Sequence, residues 1–490
     1  MRIAIIGGGI SGLSAAFYLE QERAKGAPVE YTLFEAANRL GGVMFSDRIG
    51  DCIVEGGPDS FLTEKPWASQ LCGELGIAGD LIGSNDAERV TYIVVKGRLV
   101  PMPDGLMFMV PTMLLPTALT PLFSWKTKLR MLGELMHPPH RAQKDETVAE
   151  MVERHFGPEV VDRLADPLLS GVYGGDAASL SARAVLPRFV EMEEKYGSLC
   201  RAMLASRKKL AEMQKTQGYK PKPLFTSLRW GMQQLIDAVV ARLNPQWLRI
   251  GCAVSTLTRS GQDLHPGEPT TGLPGTPGWE LATPFGPERF DAVIFATPAR
   301  IASKMLAGID PQLSADLGGV EYSSSVTVTM GYEREQLKGC PPGFGFLVPR
   351  SEGTRMLATT FVHTKFPFRA PENKALVRCF LGGAKDQGVL QFSDPEITAV
   401  VRKELKQLTG LAADPWFVKV YRWERAMAQY TPGHLERIER IGATLKQIQN
   451  LAIAGNFYKG IGVPDCVRTG KEAAEQMAAL ARAGQATTSA

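Results

Sequence analysis

The pattern Gly7-x-Gly9-x-x-Gly12 follows the apolar run Ile3-Ala4-Ile5-Ile6 and opens onto Leu13-Ser14-Ala15-Ala16-Phe17. Such a run reads as a buried strand, the glycines as a tight turn, and the next residues as a helix over 13–22. The first glycine permits the turn. The second lets backbone approach a pyrophosphate, and the third packs helix on strand. A second strand is predicted over 31–34 and ends at Glu35, roughly 20 residues beyond the turn, where a carboxylate can hydrogen-bond ribose hydroxyls. An acid at that place disfavours a 2′-phosphate. A tight turn alone accounts for the glycines but not for Glu35. The β-α-β order implies parallel strands with a right-handed crossover, and a diphosphate would sit on the helix N-terminus, where N–H groups are free.

The next residues separate the candidate dinucleotides. Arg39-Leu40-Gly41-Gly42 follows Glu35. Its glycines let backbone run along an extended cofactor, and Arg39 offers donors to phosphates, which favours FAD over NAD. Glu55-Gly56-Gly57-Pro58 comes after it. Near the other end, Ala454-Gly455-Asn456 and Gly460-Ile461-Gly462-Val463-Pro464-Asp465 lie between a predicted strand and a final helix within 451–480. That helix N-terminus would point at a flavin ring and stabilise negative charge on its reduced form.

A chain of 490 residues exceeds one ordinary core, so two or three domains are expected. An apolar share of 44% and a charged share of 22% exclude a mainly disordered chain, and a net charge of +4 gives no reason to expect nucleic acid. The seven cysteines are scattered, without a C-x-x-C pair, which argues against disulfides and zinc and for a reducing compartment. Among six histidines the close pair is His137 and His140, too little for a metal site. Met1-Arg2 leads straight into the first strand without an apolar leader, so a cytoplasmic protein is expected. Helical periodicity is predicted over 126–220, 235–243 and 394–408. Strand alternation is predicted over 320–385, as in Val326-Thr327-Val328-Thr329-Met330. Strands at 254–258 and 279–282 would flank an exposed loop, and an apolar strand is predicted near 290–297.

Residues 105–125 carry no charge and are long enough to span a bilayer. Pro111, Pro116 and Pro121 break any single helix there, and lipid cannot satisfy the freed carbonyls. Two readings stand: a buried, kinked segment lining a pocket, or a peripheral patch on a membrane with Lys126, Lys128 and Arg130 at its edge.

Together with these motifs, Gly57-Pro58-Asp59-Ser60-Phe61, Gly97-Arg98-Leu99-Val100-Pro101-Met102-Pro103, Ser170-Gly171-Val172-Tyr173-Gly174-Gly175-Asp176, Tyr196-Gly197-Ser198-Leu199, Gly343-Phe344-Gly345-Phe346-Leu347 and Tyr421-Arg422-Trp423 run in order along the chain. The sequence resembles the flavin amine-oxidase superfamily and, within it, the FAD-dependent, oxygen-using porphyrinogen oxidases. Trp230 departs from the pattern, which usually has glycine before Gly231-Met232. The resemblance implies an α/β fold: a Rossmann-like FAD-binding domain in three segments (1–90, 223–300, 431–490), a helical membrane-associated insertion (91–222) and an antiparallel-sheet substrate domain (301–430). It implies FAD contacts at Gly7, Gly9, Ile10, Ser11, Gly12, Glu35, Arg39, Gly41, Gly42, Gly57, Val254, Ala296, Trp423, Gly455, Gly462, Val463 and Pro464. Arg89 would clamp a substrate propionate, Leu347 and Phe366 would sandwich pyrrole rings, the Gly171 carbonyl would face the macrocycle, and Asp59 would stand at the cavity mouth. Lys65 reads as a solvated lysine more readily than as a second carboxylate contact.

The implied reaction is the six-electron oxidation of protoporphyrinogen IX in heme biosynthesis, by hydride transfer to FAD with three O2 reduced to three H2O2. No side chain is assigned as general base. Coproporphyrinogen III is the alternative substrate. An amine oxidase, a carotenoid desaturase or a non-catalytic flavoprotein would share the scaffold. A peripheral membrane surface and a ferrochelatase or homodimer contact are further implied partners.

Overall fold

The computed structural model describes residues 1–140, 144–217, 222–260, 278–448 and 450–488. Its first sheet is parallel, in the order Leu248–Ile250, Glu30–Glu35, Arg2–Ile6, Ala292–Phe295, Leu451–Ile453. Three distant stretches of chain therefore build one sheet. Ile3, Ala4, Ile5, Leu33, Val293, Ile294 and Leu451 are fully buried, as expected where helices or strands cover both faces. Helices Ile10–Ala24 and Val463–Thr488 pack closely on one side: a Cβ on Gly470 would lie 2.3 Å from the Ser11 carbonyl oxygen. The edge strand Leu248–Ile250 was not anticipated, because three residues, two of them exposed, leave no periodicity to read.

A second sheet has seven strands, in the order Phe417–Gln429, Glu321–Glu333, Lys374–Gly382, Met356–Phe361, Gly345–Leu347, Thr91–Val95, Arg98–Pro101. Its pairings are antiparallel except for Gly345–Leu347 with Thr91–Val95. This differs from a helical insertion beginning at residue 91. The β-branched run Thr91–Val95 folds back through Lys96 (φ 52°) and Gly97 (φ 70°), a two-residue hairpin turn, and both strands join the substrate-domain sheet.

Helices begin after these strands, with Leu114–Leu119, Trp125–Glu134, Val148–Phe156, Asp166–Tyr173, Pro187–Tyr196 and Leu199–Gln217 among them. Thr147 and Glu150 form a reciprocal cap that starts Val148–Phe156. Segment 105–125 is neither wholly buried nor one helix. It forms a short strand pair, Leu106–Met107 with Val110–Pro111, and the helix Leu114–Leu119. Met109, Val110, Leu122 and Phe123 are buried, whereas Leu115, Leu119 and Trp125 are exposed. Among the described residues no helix is long and apolar enough to cross a membrane. Strands Thr256–Ser260 and Gly278–Thr283 pair antiparallel, and the loop expected between them lies outside the described residues.

Candidate functional site

The glycine turn sits at the carboxyl edge of the parallel sheet. The Gly7 N–H donates to the Phe34 carbonyl and the Ala296 N–H to that of Ile6, each at 2.8 Å. A Cβ on Gly12 would lie 1.9 Å from the Gly7 carbonyl oxygen, so only glycine allows this helix so close to the turn. A Cβ on Gly9 would meet nothing within 4 Å, and no side chain caps the helix that Gly9 begins. The second glycine pair lies beside this helix start: the Gly41 N–H donates to the Gly8 carbonyl at 2.8 Å, and Gly9 bridges Gly41. Glu35 accepts the N–H groups of Gly8 and Ala37, both at 2.7 Å, which fixes its carboxylate at the strand end. Arg39 behaves differently from expectation. Its guanidinium donates to the carbonyls of Leu40, Gly42 and Met44 and lies over Phe45, so it braces the Gly41-Gly42 loop instead of standing free for phosphate. Ile10 and Ser11 are buried, and the Ser11 hydroxyl bonds the Cys466 thiol.

The carboxy-terminal glycines close the same edge. The Gly455 N–H reaches Thr469 Oγ1 at 3.3 Å, and the Gly462 N–H reaches Asp465 Oδ2 at 3.2 Å. Val463 packs on the apolar core, and Pro464 is buried at the start of the last helix. Lys65 is not simply solvated: its ammonium lies 2.5 Å from Asp465 and ties the first segment to the third. Val254 is half-buried and packs on the core. Tyr430 donates to the Asn456 carbonyl at 2.6 Å and accepts the Gly460 N–H at 3.0 Å. Its ring lies 6.1 Å from that of Tyr173.

A Cβ on Gly57 would lie 1.8 Å from the Val43 carbonyl oxygen, so this turn also requires glycine. Trp423 Nε1 donates to the Gly56 carbonyl at 2.7 Å, and Arg378 Nη2 donates to that of Gly57 at 2.6 Å. Behind them lies a charge cluster that sequence reasoning missed. Arg369, fully buried, lies 2.9 Å from Glu55 and donates to Ser227 at 2.6 Å, and Lys365 lies 3.1 Å from Asp59. Burial pushes the Glu55 carboxyl up and Arg369 opposes it. Burial acts on Asp59 in the same direction, but Lys365 and Arg378 outweigh it and hold that carboxyl well below the usual range. One signal was readable: Arg378 interrupts the apolar run Ala375-Leu376-Val377-Arg378-Cys379-Phe380-Leu381.

The expected substrate residues divide. Gly171 and Leu347 come together: a Cβ on Gly171 would stand 4.0 Å from Leu347 Cδ2, and Gly171 is exposed. Arg89 is about half exposed, 3.9 Å from Asp86. Its turn is tied to Lys365 through the Asn85 N–H at 3.0 Å. Asp59 is partly buried and paired with Lys365. Phe366 does not present an open face. It is fully buried beneath the Lys365 ammonium and the Arg369 guanidinium, 5.2 and 5.9 Å from its ring centre. A second unanticipated cluster lies among the helices, where His137, His155 and Glu193 converge. His155 is bonded on both ring nitrogens, to Glu134 at 2.9 Å and Glu193 at 3.0 Å. Arg154 also pairs with the same Glu193 oxygen, so that oxygen already serves His155 and Arg154.

Open space over Gly9, an uncapped helix start and a fixed carboxylate at Glu35 fit a dinucleotide cofactor and define a nucleotide-binding oxidoreductase fold. Residues 10–478 match the family described as flavin containing amine oxidoreductase, and the chain belongs to it. FAD is its cofactor. The chain is 33% identical to the coproporphyrinogen III oxidase of Bacillus subtilis, over 96% of this chain and 97% of that one. It is 29% identical to the chloroplastic protoporphyrinogen oxidase of Nicotiana tabacum, over 96% and 84%. A crystal structure from Exiguobacterium sp. 255-15, described as a protoporphyrinogen oxidase, superposes with a TM-score of 0.84 at 28% identity and covers 98% of this chain and 99% of that one. Cyclohexylamine oxidase from Brevibacterium oxydans, at 16% identity and a TM-score of 0.65, covers 98% of this chain and 99% of that one and shares the fold.

Proposed function

We propose that the protein oxidises a porphyrinogen, a cyclic tetrapyrrole with carboxylate side chains, and that O2 reoxidises its FAD. The observation that carries this reading is the meeting of Gly171 with Leu347. The neighbouring Tyr173 contacts Tyr430, which binds the Asn456 and Gly460 backbone of the third glycine segment. Gly171, which is exposed, and Leu347, which is half-buried, would offer an apolar surface to one face of a macrocycle. Bound flavin supplies a two-electron acceptor for hydride. The protein's contribution is placement: Gly171 and Leu347 hold the ring flat, Arg89 pairs with a propionate, and positioning carries most of the rate. The macrocycle's own N–H groups release protons to solvent, so no side-chain base is assigned.

Protoporphyrinogen IX is favoured by the breadth of the family alone, since the motifs are shared by enzymes of both porphyrinogens. The names of the Bacillus and Staphylococcus relatives, 33% and 30% identical, favour a second reading, coproporphyrinogen III. Mixing the oxidised holoprotein with each porphyrinogen under aerobic conditions and recording porphyrin fluorescence tests both. Turnover of neither would sink the proposal, and the larger kcat/KM names the substrate.

The exposed Leu115, Leu119, Trp125, Leu129, Leu132 and Met136, beside the exposed Lys126 and Arg130, support peripheral contact with an anionic membrane. Sedimentation with phosphatidylglycerol vesicles should fall at least threefold in the double variant Leu119→Glu, Leu129→Glu. Equal sedimentation of both proteins would refute membrane contact through this face.

A further inference from the structure

Glu55, Asp59, Lys365, Arg369 and Arg378 bring three cations and two carboxylates together behind the Gly56-Gly57 turn. Their other neighbours are largely neutral: Ser46 bonds Glu55, Ser60 bonds Asp59, and Ser227 accepts from Arg369. Tyr421, whose hydroxyl donates to Asp47, also faces Arg378. The cluster is not closed. Nε and Nη1 of Arg369 and Nε of Arg378 have no hydrogen-bond partner, although Arg369 is fully buried and Arg378 is 3% exposed. Well-packed apolar residues commonly serve stability as well as a buried ion cluster does, so an open cluster points to a use other than stability.

The geometry of the turn suggests that use. The Gly56 carbonyl is held by Trp423 Nε1 at 2.7 Å and by Arg378 Nη2 at 3.5 Å, and the Gly57 carbonyl by Arg378 at 2.6 Å. Among the described residues there is no cis peptide bond. In a trans peptide the N–H points opposite to the preceding C=O. The Gly57 N–H therefore points opposite to the Gly56 carbonyl, away from the Trp423 donor that holds it. Pro58, next in the chain, has no N–H to compete.

We propose that Arg378 is a positioning residue: with Trp423 it locks the Gly56-Gly57 peptide so that the Gly57 N–H, backed by uncompensated positive charge, faces the flavin and favours its reduced, negatively charged form. The inference rests on the reading of Gly57 as a cofactor contact. It assigns no chemical step to Arg378.

The test is the midpoint potential of FAD in the purified holoprotein, measured by dye-coupled titration without turnover. Arg378→Met should disfavour the reduced cofactor about tenfold, a fall of about 30 mV for a two-electron couple. Asp59→Asn removes an anion and should move the potential up. Arg378→Lys keeps the charge and should recover most of the Arg378→Met loss. Shifts below twofold in both Arg378→Met and Asp59→Asn, or shifts of the same sign, overturn the proposal. If Arg378→Met gives no folded holoprotein, Asp59→Asn decides alone: a rise supports the proposal, and a fall or no change overturns it. Gly57→Ala keeps the two readings apart. Unchanged FAD affinity there contradicts Gly57 as a cofactor contact and removes the proposal with it. Lost affinity alongside unmoved potentials overturns the proposal alone.

Discussion

Two buried ionic clusters lie in different parts of the molecule, and they are built differently. Among the helices, His155 is clasped by Glu134 and Glu193. Glu134 also accepts from Ser198 and from the N–H groups of Leu199 and Cys200, and Arg154 spans Glu193 and Glu146. Every charge there has its partners, as a group that only holds helices together should. Behind Gly57, guanidinium N–H groups are left over and cations outnumber carboxylates. Satisfied networks rigidify, whereas incompletely satisfied ones mark places where the protein accepts a cost for function. The difference separates scaffold from site without reference to any ligand.

The comparison can be broken most severely at the turn itself. Gly57→Ala would drive a Cβ into the Val43 carbonyl. We expect FAD affinity to fall by about a hundredfold or more, since a local backbone shift there costs upwards of ~2.7 kcal/mol. Flavin fluorescence titration reads this, and a wild-type affinity would mean that the turn is not part of the cradle. The helical cluster should answer in the opposite currency. His155→Ala leaves two buried carboxylates without their shared cation and should lower unfolding stability by about 3–5 kcal/mol, while FAD absorbance stays unchanged. A loss under ~1 kcal/mol by urea denaturation would show that the satisfied cluster is not structural.

Arg89→Ala should raise KM about tenfold or more, as expected for loss of a charge-assisted pair worth roughly 1.5–3 kcal/mol, with little change in thermal stability. A KM within twofold of wild type removes Arg89 from the substrate site. The smallest effect concerns pH. Burial disfavours the His155 imidazolium, but Glu134 and Glu193 outweigh it, so its pKa is raised. Its contribution is complete below the usual histidine value and is lost as pH rises through the raised one. Burial likewise opposes ionised Glu193, but His155 and Arg154 bring its pKa down to about 2. That contribution is present above the usual carboxylate value and is lost as pH falls towards 2. Stability of the wild type should therefore decline on both sides of neutrality, and the alkaline limb should flatten in His155→Ala. An identical alkaline limb in the two proteins would contradict the assignment.

Legibility in the sequence followed chain distance. Gly7, Gly9, Gly12 and Glu35 announce their site because backbone approach and strand-end placement depend on a few neighbouring positions. Gly57 enters as a cofactor contact through the family resemblance, and the structure adds that its turn admits only glycine. Lys65 reads as a solvated lysine in the sequence because its partner, Asp465, stands 400 residues away. Arg39 was assigned to phosphate, yet the nearest acceptors for its guanidinium are the carbonyls of its own loop. Phe366 was expected to face a ligand, but sequence does not reveal that Lys365 and Arg369 close over its ring. The strand Thr91–Val95 was assigned to the wrong part of the fold because its sheet partner, Gly345–Leu347, comes much later in the chain. Arg378 left a trace, a charge inside an apolar strand, but not the identity of what it holds.

The most direct measurement is anaerobic: oxidised holoprotein is mixed with protoporphyrinogen IX, with coproporphyrinogen III and with a primary amine in separate runs, and the flavin absorption band is followed. The account predicts rapid bleaching by at least one porphyrinogen, with matching growth of porphyrin fluorescence, and none by the amine. A flavin that keeps its colour with both porphyrinogens, or that only the amine bleaches, would contradict it.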